Sequence, residues 1–377
     1  MKRVHVLTAG FTTSNGQAFL MPLILHRRAL RDAGLEVRLF RHPSPGLTDC
    51  DVLMLDGKYF GPRWEGDTPA VLEEVAGYRA RIDNLIYVDL ADSASWDHSR
   101  ALPHVKLYCK SQLLRDRTAY LKPLYGYRAF TDYYHRECGV NDDPPVVSEP
   151  VNDPSLLDKL AVGWNSALAD YSEWGVYRMQ LYDRLPLRPL LRFPKEFTSP
   201  AAERSNPVSC RVGTRYVRAT ISHQRTHLLS LLKDRVPPGR VPRKAYFAEL
   251  RNTRVALSPF GYGEVCYRDF EIFLSGALML KPDMSGIETW PDLYRGGETM
   301  VAHRWDLTDI IDRLDELLAH PGRATEIAER GQAAYRRHLC GDEAGPLFAE
   351  HLNSIVAKAQ APAATQQSPA RAMASAV

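Results

Sequence analysis

Residues 258–280, SPFGYGEVCYRDFEIFLSGALML, decide how the whole chain is interpreted. The preceding VALS is typical of the end of a buried strand. Gly261 and Gly263 then break the run, and a helical pattern follows that carries Arg268 and Glu271. Strand, glycine turn and helix in this order predict a ligand site beyond the carboxyl edge of a parallel sheet.

The residue types in this stretch indicate an anionic ligand. Gly261 and Gly263 let the backbone approach a ligand closely, and the start of a helix offers free N–H groups and partial positive charge to a phosphate. Arg268 adds a charged fork for the same anion. Glu271 lies one turn further on the same helix face, where its carboxylate can accept both hydroxyls of a ribose. A nucleoside diphosphate has this combination of groups, although a plain glycine turn and a solvated ion pair remain an alternative.

The flanking sequence alternates apolar strands with helical patterns. In the first half, buried strands are predicted in VHVLTAG, LEVRLF, CDVLMLDG, NLIYVDLADS and VKLYCKS. The alternation resumes in the second half and runs through the quoted stretch. Such alternation predicts an α/β fold built on mostly parallel sheets with helices on both faces.

Composition divides the chain into five parts. We predict a first domain over residues 1–145 and a linker rich in Pro, Asp and Asn over 146–155. A second domain follows over 156–340, then a final helix over 341–358. Residues 359–377 have too little hydrophobic content to pack and are predicted to be disordered.

Charge and cysteine usage exclude several classes of protein. The chain has 377 residues, enough for two domains, and a formal net charge of +3, which gives no support for a nucleic-acid partner. Its six cysteines lie far apart without a CxxC motif, which argues against zinc and disulfides and favours a reducing cytoplasm. No apolar run approaches the roughly 20 residues that span a bilayer, so any membrane contact is expected to be peripheral.

The run AYFAELRNTRVALSPFGYGEVCYRDFEIFLSGALMLKPD resembles the nucleotide-sugar-binding core of GT-B glycosyltransferases. The resemblance implies two Rossmann-like, doubly wound parallel-sheet domains that face a central cleft. It also implies that Glu271 binds the nucleotide ribose, that Arg268 lies near the diphosphate, and that Gly276 closes the helix. Many members carry a second glutamate eight positions earlier, but this sequence has Gly263 there. Glu264 is one residue out of register and receives no role.

The same resemblance implies an activity. The protein would move a sugar from a nucleoside diphosphate sugar to a hydroxyl of a glycan, a lipid-linked or a small-molecule acceptor. The expected setting is bacterial surface polysaccharide or glycoconjugate synthesis, in the cytoplasm or peripherally at the inner membrane face. No metal and no cofactor besides the donor are implied. A sugar-nucleotide epimerase of the same architecture and a non-catalytic sugar-nucleotide-binding protein are the alternatives.

Asp89 and Asp92, in VDLADS, are the candidate catalytic groups. Both follow a first-domain strand and are expected to face the cleft, with Asp92 the preferred base for an inverting transfer. A retaining transfer needs no such base, and the sequence does not decide between the two. Either aspartate is also compatible with a helix cap or a turn.

Further candidates for donor binding lie in two other turns. Gly163 and Asn165, in VGWNSAL, are predicted at a second-domain turn over the donor. Arg211 and Gly213 follow another second-domain strand and are predicted to hold phosphate. Arg225 lies on a long helix and is interpreted as a surface charge.

Overall fold

The computed structural model describes residues 1–95, 98–237 and 239–362. The strands are β1 Lys2–Leu7, β2 Leu35–Phe40, β3 Val52–Asp56, β4 Leu85–Asp89, β5 Leu107–Lys110, β6 Gln112–Leu114, β7 Leu160–Val162, β8 Asn206–Ser209, β9 Thr253–Leu257, β10 Leu278–Pro282, β11 Ile287–Thr289 and β12 Val301–His303. The helices are α1 Ser14–Leu25, α2 Arg27–Asp32, α3 Gly57–Phe60, α4 Arg63–Gly66, α5 Thr68–Arg79, α6 Ala129–Cys138, α7 Gly175–Arg184, α8 Ala219–Leu231, α9 Arg243–Arg251, α10 Tyr267–Ser275, α11 Ile310–Ala319, α12 Pro321–Leu339 and α13 Ala344–Gln360.

The first domain is built on six parallel strands in the order β2-β1-β3-β4-β5-β7. Its central strands are nearly all apolar because both faces of the sheet are covered, and every residue of β3 and β4 is buried. The strand order reverses at β1, which has β2 on one side and β3 on the other. Ligands of open parallel sheets bind outside the carboxyl ends of the strands at such a reversal.

The second domain is built on four parallel strands in the order β12-β10-β9-β8. Its sheet and the helices α11 and α12 enclose a second apolar core that includes Val255, Leu278 and Leu314. The predicted α/β fold with two parallel-sheet domains is therefore confirmed.

One strand belongs to a different sheet from the one predicted. β7 pairs in parallel with β5 at the edge of the first sheet, with Ala161 opposite Cys109. A short apolar run predicts a strand but not the sheet edge that it extends. The predicted division at residues 146–155 is wrong for this reason, since the first sheet is completed only at Val162.

Two features join the domains. β6, which follows the first sheet, pairs antiparallel with β11 of the second domain. Helix α13 leaves the second domain and packs against α2 and β3 of the first. The helix predicted over 341–358 runs to Gln360, and Ala359 is fully buried, so the predicted disordered tail does not begin at residue 359. Residues 363–377 of that tail lie outside the described residues.

Candidate active site

A cavity of about 340 Å³ lies between the two domains at the carboxyl ends of their strands. The first domain contributes residues after β1, β4, β5 and β7, and the second contributes the turn after β9 and the first turns of α10. The cavity volume is at the lower end of the range typical for small-molecule sites. The polar and charged side chains that line this cavity include Asn15, Asp92, Gln112, Asn165, Arg225, Cys266, Arg268 and Glu271.

Helix α10 begins at the cavity because its first turn is capped from within. Cys266 is the N-cap, and its backbone N–H donates to Oδ2 of Asp269 at 2.9 Å. Asp269 is fully buried and is also held by Lys281 at 3.1 Å and by the Tyr294 hydroxyl at 2.9 Å. The helix ends at Gly276, whose left-handed backbone (φ 70°) favours glycine. The aspartate seen in the sequence stretch therefore fixes the helix rather than binding a ligand.

Gly261 and Gly263, the two glycines of the turn, differ in what a Cβ atom would contact. A Cβ on Gly263 would lie 1.7 Å from the carbonyl oxygen of Asp92, so this glycine allows the two domains to touch. A Cβ on Gly261 would lie 3.2 Å from both Arg225 and Cys266. Both glycines line the cavity, but the close approach at Gly263 is to the first domain and not to a ligand, contrary to the prediction.

Two arginines on the second-domain wall lack an anionic partner. Nη1 of Arg268 is buried and has no hydrogen-bond partner among the described residues. Arg225, 5% exposed, donates only to carbonyl oxygens, from Nε to Phe260 at 2.6 Å and from Nη1 to Gly213 at 3.1 Å. Burial and the nearby charge of Arg268 lower the pKa of Arg225. Neither forms an ion pair within the described part of the chain, so this wall favours a bound anion.

The position of Arg225 corrects the sequence interpretation. It was expected on the surface of a long helix, but α8 directs it into the cavity between the carbonyl groups of Phe260 and Gly213. A helix that contacts two distant turns can bury a charge that local spacing assigns to solvent.

Glu271 lies in the cavity wall with Arg268, one helical turn away, as the spacing predicted. Its side chain is 7% exposed, and Oε1 accepts from Arg243 Nη1 at 3.0 Å. Burial raises the pKa of Glu271, against the opposing influence of the charges of Arg243 and Arg268 and of a hydrogen bond from Tyr246. The carboxylate is thus held in place by two residues of α9 that the sequence did not identify.

The two candidate catalytic aspartates have different environments. Asp92 lines the cavity, and its Oδ1 accepts from Asn15 Nδ2 at 2.6 Å. Asp89 is fully buried, and its Oδ2 accepts from Lys110 Nζ and from the Tyr108 hydroxyl, each at 2.8 Å. Burial opposes ionisation of Asp89, but Lys110 outweighs burial and holds the pKa of this carboxyl below its usual range. The prediction that Asp89 faces the cleft is wrong, because the residue is locked in a buried ion pair.

The residues after β7 contribute from the first domain, not from the second as predicted. Asn165 is buried in the cavity wall, with its backbone N–H bonded to the carbonyl of Trp290 at 2.8 Å and its Nδ2 to that of Pro291 at 3.0 Å. Asn165 therefore links the two domains. Gly163 is not in the cavity wall, and a Cβ there would lie 3.0 Å from Sγ of Cys109.

Arg211 and Gly213 do not line the cavity. Arg211 forms a two-pronged ion pair with Glu249, with Nε and Nη2 at 2.9 and 2.7 Å from Oε2. A Cβ on Gly213 would meet the guanidinium of Arg240 at 2.4 Å. The prediction that these residues point to a phosphate is contradicted, because Arg211 already has a carboxylate partner.

Glu264, which has no predicted role, joins the domains beneath the cavity. It is fully buried and accepts from the Ser93 hydroxyl and the Ala94 N–H, both at 2.8 Å, and from Gln112 Nε2 at 3.0 Å. All three donors belong to the first domain. Together with Gly263, this carboxylate fixes the first-domain loop after β4 against the second-domain turn.

A second cavity, of about 510 Å³, adjoins the first through Ala91. Its wall includes Lys58, Arg218 and the aromatic residue Tyr127. Tyr127 has a left-handed backbone (φ 63°), which is strained for a residue with a side chain, and the Arg218 guanidinium lies over its ring at 5.3 Å. Strain of this kind concentrates at functional sites.

Metal-ligand clusters and membrane-spanning helices are both absent from the described residues. No group of three or more His, Cys, Asp or Glu side chains in them is arranged to hold a metal ion. None of their helices is both long enough and apolar enough to cross a membrane.

One family model matches part of the chain, mostly in the second domain. Residues 211–348 are similar to the family described as "Glycosyl transferase-like". The matched region contains α8 and α10 and hence Arg225, Arg268 and Glu271. The search of curated proteins found no match.

Solved structures with a similar chain path include several sugar transferases. Anabaena HepE in complex with UDP aligns at 11% identity over 94% of this chain and 100% of its own, with a TM-score of 0.43. Sucrose-phosphate synthase from Thermosynechococcus elongatus aligns at 10% identity over 95% of this chain and 100% of its own, with a TM-score of 0.44. The T4 phage β-glucosyltransferase aligns at 12% identity over 94% and 99%, with a TM-score of 0.42. Similarities of this size carry no argument about donor or acceptor.

Proposed function

We propose that this protein is a metal-independent glycosyltransferase that moves a sugar from a nucleoside diphosphate sugar to an acceptor hydroxyl. The observation that carries the proposal is the buried guanidinium of Arg225 beside the buried Nη1 of Arg268, in one cavity wall and without an ion-pair partner among the described residues. A diphosphate would supply the missing negative charge, and the start of α10 would add its N–H groups. Glu271 lies one turn away as the acceptor for the ribose hydroxyls. The glycosyl transferase-like match over this domain supports the same assignment.

The acceptor is proposed to enter from the second cavity. This cavity opens on the first domain and meets the donor cavity at Ala91, next to Asp92. Tyr127 offers an aromatic face for a sugar ring, and Lys58 and Arg218 suit an acceptor that carries an oxyanion, such as a phosphorylated glycan or lipid. Asp92 is the proposed base if the transfer inverts configuration.

The cellular setting is part of the proposal. Synthesis of a bacterial surface polysaccharide or glycoconjugate, in the cytoplasm or at the inner face of the membrane, follows from the family resemblance alone.

Donor binding is tested by isothermal titration of the full chain with UDP, GDP, ADP and CMP. We expect one nucleoside diphosphate to bind and CMP, which lacks the second phosphate, to bind more weakly. Binding of none of them by a folded protein would remove the basis of the proposal.

Product analysis separates transfer from its alternatives. With the sugar nucleotide of the preferred base and a panel of acceptors, a transferase releases the nucleoside diphosphate only as sugar is transferred or hydrolysed. An epimerase would convert the donor sugar with no acceptor present, and a binding protein would leave the donor unchanged. For an inverting transfer, Asp92→Asn should lower turnover at least about 100-fold while leaving nucleotide affinity unchanged.

A further inference from the structure

Helix α7 and the segment after it leave an apolar surface uncovered. Trp174, Tyr177 and Leu181 are 61%, 54% and 43% exposed, and Leu185 and Leu187 are also exposed. These five make up nearly half of the large hydrophobic side chains that are exposed in the described part of the chain. We call residues 174–195 the apolar–basic arm.

The exposed side chains form one continuous stripe. Trp174, Tyr177 and Leu181 follow a spacing of three and four residues, which places them on one face of α7, and Leu185 continues that line. The opposite face is packed, since Met179 is buried and the ring of Tyr182 meets that of Phe11 at 5.1 Å. The stripe is therefore the exposed face of a helix whose opposite face is well packed.

Basic side chains accompany this stripe. Four cations of the arm are exposed and form no ion pair with the described residues: Arg184, Arg188, Arg192 and Lys195. The acidic residue of α7, Asp183, is neutralised by Arg41 at 3.1 Å. An apolar face bordered by unpaired cations is complementary to a surface that is both apolar and negatively charged.

The arm is held firmly at the edge of the cleft. Arg178 pairs with the buried carboxylate of Asp170, and Arg243 donates from Nε to the carbonyl of Glu173 at 2.7 Å. The same Arg243 binds Glu271 in the cavity wall at 3.0 Å. The root of the arm thus shares a side chain with the candidate active site.

We infer that the apolar–basic arm docks the protein onto an anionic lipid bilayer. Trp174, Tyr177 and the leucines would enter the interfacial layer, where aromatic and aliphatic side chains are both favoured, while the cations contact lipid phosphates. A second copy of the chain suits this surface less well, since a two-fold contact through the stripe would bring the four cations of each copy together. Docking does not depend on the proposed transferase activity, although it would place the cleft beside a lipid surface.

Vesicle flotation of the full chain tests the inference. We expect binding to vesicles of phosphatidylcholine and phosphatidylglycerol but not of phosphatidylcholine alone, with release at high salt because exposed charges are then screened. The pair Trp174→Ser with Leu181→Gln, and separately Arg184→Gln with Arg188→Gln, should each weaken binding at least about tenfold.

Matched controls lie on other exposed surfaces. Leu231→Gln removes an exposed leucine of α8, and Arg28→Gln removes a cation of α2 that is almost fully exposed. Both should bind vesicles like the unaltered protein, and all variants should keep their nucleotide affinity. That second measurement separates a failure of docking from a failure of the proposed function.

Three results would overturn the inference. The first is no binding to anionic vesicles by a folded protein, and the second is binding that the arm variants do not weaken. The third is a dimer in light scattering that Leu181→Gln dissociates, which would assign the surface to a second copy.

Discussion

Buried charges are arranged in opposite ways on the two sides of the cleft. On the first-domain side, Asp89 and Lys110 are both fully buried and lie 2.8 Å apart, so that each neutralises the other. On the second-domain wall, Arg225 and Arg268 carry like charges, and no described carboxylate pairs with either. The first arrangement is complete in the protein alone, whereas neither arginine of the second forms an ion pair with the described residues. We therefore expect the second-domain wall to be the one that binds an anionic ligand.

The largest effect should come from breaking the completed pair. Lys110→Met leaves the Asp89 carboxylate buried, and its remaining contacts among the described residues include the hydroxyl of Tyr108, the N–H of Ala91 and the more distant ring of His98, whose Nδ1 is 3.9 Å away. Removing one partner of a buried ion pair typically costs about 3–5 kcal/mol. Chemical denaturation followed by circular dichroism should show a loss of this size in the free energy of unfolding.

The double variant Asp89→Asn with Lys110→Met is the control for that loss. It removes both charges and should recover much of the stability, because no uncompensated charge remains. If the single and double variants are equally unstable, the loss comes from packing and not from charge.

The sequence predicts the two strands that carry Asp89 and Lys110 but not the ion pair between them. β4 reads LIYVD and β5 reads LYCK, two buried strands that end in opposite charges, and Asp89 and Lys110 are direct partners in the register. Periodicity predicts both strands, yet only the pairing of β4 with β5 shows that Asp89 is neutralised and Asp92 is not. For this reason Asp89 could be chosen from the sequence as a catalytic residue.

Residues 258–280 were more informative because the features that predict their structure lie close together in the sequence. A strand, two glycines and a helix with Arg268 and Glu271 one turn apart all lie within one supersecondary unit, and the structure places them in one cavity. Arg225 and Arg243, by contrast, reach the site from helices distant in sequence. Their contacts depend on tertiary packing, which spacing along one helix does not encode.

The second-largest effect should be a loss of nucleotide affinity when an arginine of the second-domain wall is changed. Arg268→Met should weaken binding of the preferred nucleoside diphosphate about 10- to 100-fold, the size of a lost hydrogen bond to a charged group. The loss of stability should be smaller than for Lys110→Met, because Arg268 leaves no ion-pair partner uncompensated among the described residues. Isothermal titration and denaturation of the same sample measure both quantities.

Arg211→Met provides the matched comparison. Arg211 belongs to the same domain but pairs with Glu249 outside the cavity. Its loss should lower stability and leave nucleotide affinity unchanged. The opposite outcome for the two arginines would assign the phosphate to Arg211 and Gly213, the further candidates that the sequence suggested.

A smaller effect is expected from the carboxylate beside the arginines. Glu271→Gln keeps the shape of the side chain but weakens its hydrogen bonds to hydroxyl groups, so affinity should fall about tenfold at most. The 2′-deoxy form of the same nucleotide should lose less than the ribonucleotide when Glu271 is changed. Equal losses for the two nucleotides would show that this carboxylate does not bind the ribose and acts only through Arg243.

The smallest effect concerns a third way of burying an ionisable group, which is to leave it uncharged. Burial lowers the pKa of His303 to about 4, and its Nδ1 donates to the carbonyl of Arg304 at 2.8 Å. An unfolded histidine titrates near pH 6.5. Between these values the unfolded chain binds more protons than the folded one, so the stability due to this residue is complete above about pH 6.5 and falls as the pH is lowered towards 4.

His303→Asn keeps a hydrogen-bond donor without that titration. The free energy of unfolding of this variant should vary less between pH 7 and pH 5 than that of the unaltered protein. Parallel pH profiles would show that folding does not lower the pKa of His303, so that Asp309 and Asp306, which raise this pKa, offset burial.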